Sequence, residues 1–220
     1  MKKLFLIAAA ILTLTSIKAQ ELNVGMDFYN RYVFRGVDFG SSPSLQPSIE
    51  FSSGNFTLGA WGAYSTGNGS MGEFGEADLY TSYGFDFGLS VGATAYYYPG
   101  SSWFELEDEV SSHAIELNLG YEISGFSLSG NYMLNNSVNG AGAEDGIMYF
   151  EAGYGTDLFN VFVGGGDGWH STDGDFEVVN IGVGTSKEIK VSDTFSIPVN
   201  GAVILNPNTE QLHLVVGISF

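Results

Sequence analysis

Cysteine is absent from all 220 residues. That removes a disulfide framework, and with it the thiol that a lipoprotein anchor requires. Positive charge is nearly as scarce: Lys and Arg total 7 against 25 acidic residues. Because Lys2, Lys3 and Lys18 sit in the first nineteen residues, the rest of the chain carries only Arg31, Arg35, Lys187 and Lys190. So acidic an object repels phosphate backbones, which argues against nucleic-acid binding by counterion release. Beyond residue 19 no segment strings together eighteen apolar residues, so helical membrane spans are not expected. No Pro- or Ser-rich linker divides the chain, and its length fits one domain.

What is present argues for a folded object. Aromatics make up 15% and apolar residues 44%, too much for an acidic disordered chain. The 31 glycines are dispersed through the apolar stretches, which suits curved strands and not helices. Residues 1–19 read as an export signal: Lys2 and Lys3 precede an apolar stretch from Leu4 to Leu12, and a small-residue site ends at Ala19. That stretch is too short to cross a bilayer, so cleavage is expected before Gln20.

Period-two alternation is the strongest pattern, since strand side chains point to opposite faces in turn. Twelve candidate strands lie near residues 22–36, 44–52, 55–65, 74–84, 87–98, 112–124, 126–135, 146–155, 158–167, 176–186, 194–205 and 210–220. Leu22, Val24, Met26 and Phe28 share one parity in the first, and Leu212, Leu214, Val216, Ile218 and Phe220 in the last. Lengths near ten, an even count, and connectors that alternate long and short match an outer-membrane β-barrel with short periplasmic turns. Two connectors break the rule: residues 187–192 are not short, and 206–209 are not long. Aromatics near strand ends, such as Tyr32 and Phe34, Trp61 and Tyr64, Tyr80 and Tyr83, and Tyr96 to Tyr98, are expected in interfacial girdles. A secreted β-sandwich with its aromatics in a core is the alternative. The last strand, ending on Phe220, resembles the closing strand that barrel-insertion machinery recognises.

The apolar parity fixes where polar residues point. Asp27, Arg31 and Arg35 fall on the inward side of the first strand, the two arginines about 13 Å apart. Glu50, Glu76, Asp78, Glu116 and Glu151 fall on the inward side of theirs. These eight are the candidate pore-lining residues, because a charge on the lipid face costs up to several kcal/mol. The arginines either form a constriction facing carboxylates across the lumen or neutralise lumenal acids and hold strands in register.

The run Tyr29-Asn30-Arg31-Tyr32-Val33-Phe34-Arg35-Gly36-Val37 is followed by Pro47-Ser48-Ile49, Gly59-Ala60-Trp61-Gly62, Glu76-Ala77-Asp78-Leu79-Tyr80 and Tyr96-Tyr97-Tyr98-Pro99-Gly100. In order and spacing these segments resemble the TorF-type porin family of Gram-negative bacteria. The resemblance implies an outer-membrane barrel of pore-like architecture, with no substrate attached. Asn30 and the very acidic loops depart from the family pattern.

Acidic residues crowd the expected outer loops: Asp38, Glu73, Glu105, Glu107 to Glu109, Glu144-Asp145, Asp167, Asp173 and Asp175. They form a solvated face that concentrates cations, or one that recruits divalent ions. The stretch 167–175 lacks the defined spacing of a calcium loop, and no metal ligand set is assigned. A hydrolase would need a base, and His113 with Ser111 and Ser112 beside it is the one candidate, although triads are set by spatial geometry. No catalytic residue is assigned and no cofactor is expected.

The chain thus reads as an all-β, single-domain, twelve-stranded transmembrane antiparallel β-barrel over residues 20–220 in the outer membrane of a Gram-negative bacterium. The expected function is a narrow passive channel for small hydrophilic solutes or ions, favouring cations. Its expected partners are outer-membrane lipids, the insertion machinery and the solutes themselves, with no nucleic acid. The alternatives are a closed structural or interaction barrel and, behind it, a lipid hydrolase.

Overall fold

A computed structural model describes residues 20–40, 42–67, 75–99, 102–107, 110–137 and 144–220. The expected export signal at 1–19, Glu73, and residues 108 and 109 lie outside this set. The strands are β1 (Gln20–Tyr29), β2 (Tyr32–Phe34), β3 (Val37–Phe39), β4 (Ser44–Ser53), β5 (Phe56–Ser65), β6 (Gly75–Gly84), β7 (Leu89–Tyr97), β8 (His113–Ile123), β9 (Phe126–Met133), β10 (Met148–Gly155), β11 (Asn160–Gly166), β12 (Glu177–Lys190), β13 (Ser196–Asn206) and β14 (Gln211–Ser219). Twelve of them pair antiparallel in sequence order into a closed barrel, β1 meeting both β4 and β14, while β2 and β3 form a separate two-stranded hairpin. Closure leaves no unpaired edge.

The polarity is inside out. Leu22 is 65% exposed and Val24 75%, and Leu58, Leu119, Leu128, Val163, Leu212 and Leu214 lie open on the same outer surface. Serine, asparagine, glycine and carboxylates occupy the opposite parity. Inside, several rings lie over a glycine on the neighbouring strand: Tyr80 over Gly59, Tyr29 over Gly217 and Phe162 over Gly182, each directly opposite in register. A Cβ at any of the three would collide with the ring, which is why glycine recurs in otherwise strand-like runs.

The first strand is shorter than its alternation suggests. β1 ends at Tyr29, and Asn30 takes over the ladder with its side chain: Nδ2 donates to Leu214 O (3.0 Å), and Oδ1 accepts from Val216 N (2.8 Å). The Asn30 N–H still donates to Val216 O (3.0 Å), the backbone turns away after it, and Arg35 and Gly36, at φ of 51° and 81°, make a two-residue hairpin turn. Alternating apolar residues from 32 to 39 therefore belong to β2 and β3 and not to the barrel wall. At the other anomalous connector, β12 runs on to Lys190, so the link to β13 is only residues 191–195. The tight link 207–210 between β13 and β14 is present.

Candidate functional site

The hairpin folds into the barrel. Gly36 lies against the backbone of Val179 and Asn180 at a β12 bulge, where a Cβ would collide with the Val179 carbonyl. Asn206 Nδ2 on β13 donates to Gly36 O (3.2 Å). On the other side Arg35 reaches β8, donating from Nη1 and Nη2 to Glu116 Oε2 and Oε1 at 2.7 and 2.9 Å. Its guanidinium also sits 4.6 Å from the ring centre of Phe34 and 4.5 Å from that of Tyr149. Starting from the seam between β1 and β4, the turn thus touches both β8 and β12, and it crosses the lumen.

Arg35 is in an unusual place. The first position of such a turn wants Asn, Asp or Gly, because φ is positive, and an ordinary side chain there costs about 1 kcal/mol. The bidentate pair offsets that cost: charge-assisted and buried, with Glu116 only 2% exposed, it is the strong kind of hydrogen bond. Glu116 also accepts from Tyr96 Oη (3.0 Å) and Asn118 Nδ2 (2.7 Å). Burial alone would lower the Arg35 pKa, but its partners, Glu116 first, raise it, so the guanidinium stays charged.

Arg31 sits at the hairpin base and donates to Asp38 Oδ2 (2.7 Å) and His213 Nδ1 (3.3 Å). Two sequence expectations are thereby corrected. Arg31 and Arg35 do not share one face of a wall strand, and Asp38 is not a loop-surface acid but the hairpin's internal partner. The reason is the left-handed pair at 35–36, which reverses the chain where alternation continues unbroken. Asp27, Glu50, Glu76, Asp78, Glu116 and Glu151 all lie on inward-facing parity in β1, β4, β6, β8 and β10. Of these six only Glu116 pairs with an arginine among the described residues. Glu50 accepts from Tyr80 Oη (2.9 Å) and Glu151 from Asn180 Nδ2 (2.8 Å).

Around the hairpin, every wall strand from β4 to β14 presents a buried inward residue near its end remote from the chain termini: Gln46, Ala63, Asp78, Tyr96, Glu116, Met133, Tyr149, Gly164, Asn180, Ile204 and His213. Tyr96, Tyr98, Ala114, Met133 and Ile147 form an internal apolar cluster, with Phe34, Phe39 and Trp169 packed on it. Trp169 and His170, in a short turn before β12, close over the hairpin. Phe34 stacks on Trp169 at 6.2 Å and His170 on Tyr149 at 5.1 Å. Burial pushes the His170 pKa down to about 3, with Arg35 contributing. Two cavities of about 360 and 380 Å³ flank the hairpin, one against β9 to β13 and one against β5 to β7.

The aromatic expectation also needs correction. Tyr64, Tyr83 and Tyr97 face outward, but Tyr32, Phe34, Trp61, Tyr80, Tyr96 and Tyr98 line the interior. Strand register shows why: Trp61, Asp78 and Tyr96 lie opposite one another across three strands, so they share the inward face. His113 lies at the outward end of β8 among Tyr97 and Trp103, with Nε2 2.8 Å from Trp103 O. Ser111 Oγ accepts from the His113 backbone N–H (3.0 Å), so the hydroxyl faces the amide and not the ring. Among the outer acids, Asp167 accepts the Met148 N–H at 2.6 Å, while Glu107, Glu144, Asp145, Asp173 and Asp175 are exposed. Among the described residues no three His, Asp or Glu side chains converge to hold a metal ion.

A family model described as a bacterial protein of unknown function (Gcw_chp) matches residues 15–197. No curated protein sequence matches the chain. Among solved structures, three engineered variants of the porin from Rhodopseudomonas blastica align with it, each with a TM-score of 0.40 over 91% of this chain and 99% of that one, at 15 to 16% identity. What the interior does is therefore read from this chain's own side chains.

Proposed function

The chain belongs to the Gcw_chp family of bacterial proteins of unknown function, and from that premise we propose that it is a narrow, porin-like passive channel of a Gram-negative outer membrane. The observation that carries this reading is the inverted polarity of a closed barrel, apolar toward its surroundings and polar within. An outward belt of exposed leucine and valine is at home in hydrocarbon and costly in water. The TorF-type likeness of the segments quoted above supports the same reading.

Selectivity follows from charge. Inside, two arginines stand against seven acids, Asp27, Asp38, Glu50, Glu76, Asp78, Glu116 and Glu151, and Lys187 and Lys190 lie exposed at the turn end of β12. Such an interior favours small cations and hydrophilic solutes and repels anions. The hairpin sets the bore, since twelve strands lie between barrels filled by side chains and those with a clear aqueous channel.

Purified protein in planar bilayers tests the reading. Steady current with a reversal potential shifted toward the cation is expected under a salt gradient. The ring of buried inward residues around the hairpin favours a second reading, a barrel closed by its own hairpin that serves a structural role, and silence at high protein density would select it.

A further inference from the structure

The cavity between the hairpin and β5 to β7 has a lining unlike the rest of the lumen. Tyr32, Phe34, Trp61, Tyr80 and Tyr96 surround it, with Thr94 and the carboxyl of Asp78 completing the wall. Five aromatic rings surround one space of about 380 Å³, with Tyr32 and Trp61 at 5.4 Å and Phe34 and Tyr96 at 6.0 Å between ring centres. The rings are held in place by acids behind them: Tyr80 donates to Glu50 and Tyr96 to Glu116.

Asp78 supplies the second, independent observation. It is only 5% exposed, and its Oδ1 has no hydrogen-bond partner among the described residues. Glu76, two residues along the same face of β6, accepts from the hydroxyls of Tyr98 and Tyr32 and shares a hydrogen bond with Asp78, which also accepts from the Tyr97 backbone. No Lys or Arg pairs with either acid among the described residues. Buried carboxylates normally carry a cationic partner, and here the wall provides none.

We propose that this cavity binds a small organic ammonium ion, its charged head among the five rings and against Asp78. Aromatic faces attract a cation without stripping it by direct ligation, and they suit methylated or alkylated nitrogen far better than a hard metal ion, which wants oxygen ligands. A sugar would need several convergent free donors and acceptors, and here the hydroxyls of Tyr80, Tyr96, Thr94 and Tyr32 already donate to Glu50, Glu116, Asn118 and Glu76. Because Tyr32 and Phe34 belong to the hairpin, the bound ion also holds the hairpin in its seat. The proposal rests on the channel reading only for the route by which the ligand arrives.

The test is calorimetric titration of the full chain in detergent with choline chloride, against sodium chloride and against 3,3-dimethyl-1-butanol, the uncharged carbon isostere of choline. Saturable choline binding is expected, weakened roughly tenfold or more for the isostere and for Asp78→Asn. Heat no different from that of sodium chloride, or equal binding of choline and its isostere, overturns the proposal. Should Asp78→Asn fail to fold, Trp61→Phe is compared with Trp61→Leu. Binding kept by the first and lost by the second supports the aromatic cage, and indifference to both overturns it. Choline binding by a protein that is silent in bilayers sinks the channel and leaves the site, whereas current without choline binding does the reverse.

Discussion

Replacing Arg35 with alanine is the sharpest way to ask whether the hairpin governs the lumen. The variant loses both hydrogen bonds to Glu116 and leaves a carboxylate that is 2% exposed without its cation. Breaking a buried ion pair from one side costs ~3–5 kcal/mol. Alanine at φ of 51° is strained as arginine is, so the backbone returns none of this. At 1.4 kcal/mol per decade the detached hairpin becomes roughly a hundred- to several-thousand-fold more populated. Two assays read this out. Single-channel conductance should rise, because the guanidinium and the aromatic strands leave the bore. Met133→Cys supplies a lone thiol in a cysteine-free chain at a site only 1% exposed, and it should react with a maleimide much faster when Arg35 is alanine. Unchanged conductance and unchanged labelling together would refute the clamp. The double variant Arg35→Ala with Glu116→Ala should be less destabilised than the two single effects combined, since no buried charge is orphaned.

Three further perturbations follow from the same geometry. Gly36→Ala would place a methyl on the Val179 carbonyl at positive φ, so it should unseat the hairpin with Arg35 intact and reproduce the labelling change. Because the seated His170 has a pKa near 3 against about 6.5 when released, the released loop alone takes up a proton between those values. Seating should weaken by about 1.4 kcal/mol for each unit that the pH falls below about 6.5, level off near 3, and not vary above. Hydrogen exchange of residues 167–171 measures this, and His170→Gln should flatten it. Glu50→Gln with Glu151→Gln should shift the bilayer reversal potential toward zero, and an unmoved potential would place those acids off the conduction path.

The alternating faces of β1, β8 and β14 and the acid-rich interior were legible in the sequence, because period-two patterning and the cost of charge on an apolar surface are local properties of each strand. The inward position of Asp27, Glu50, Glu76, Asp78, Glu116 and Glu151 followed from that parity alone. Residues 31–39 were not legible in the same way. They alternate as well as any wall strand, and only the left-handed pair at Arg35 and Gly36, with the Asn30 side chain bonding to β14, shows that they leave the wall. Which acid Arg35 meets, 81 residues along the chain, and which rings share a cavity with Asp78 depend on strand register and on closure of the sheet. Those are distances between segments, and tertiary packing alone sets them.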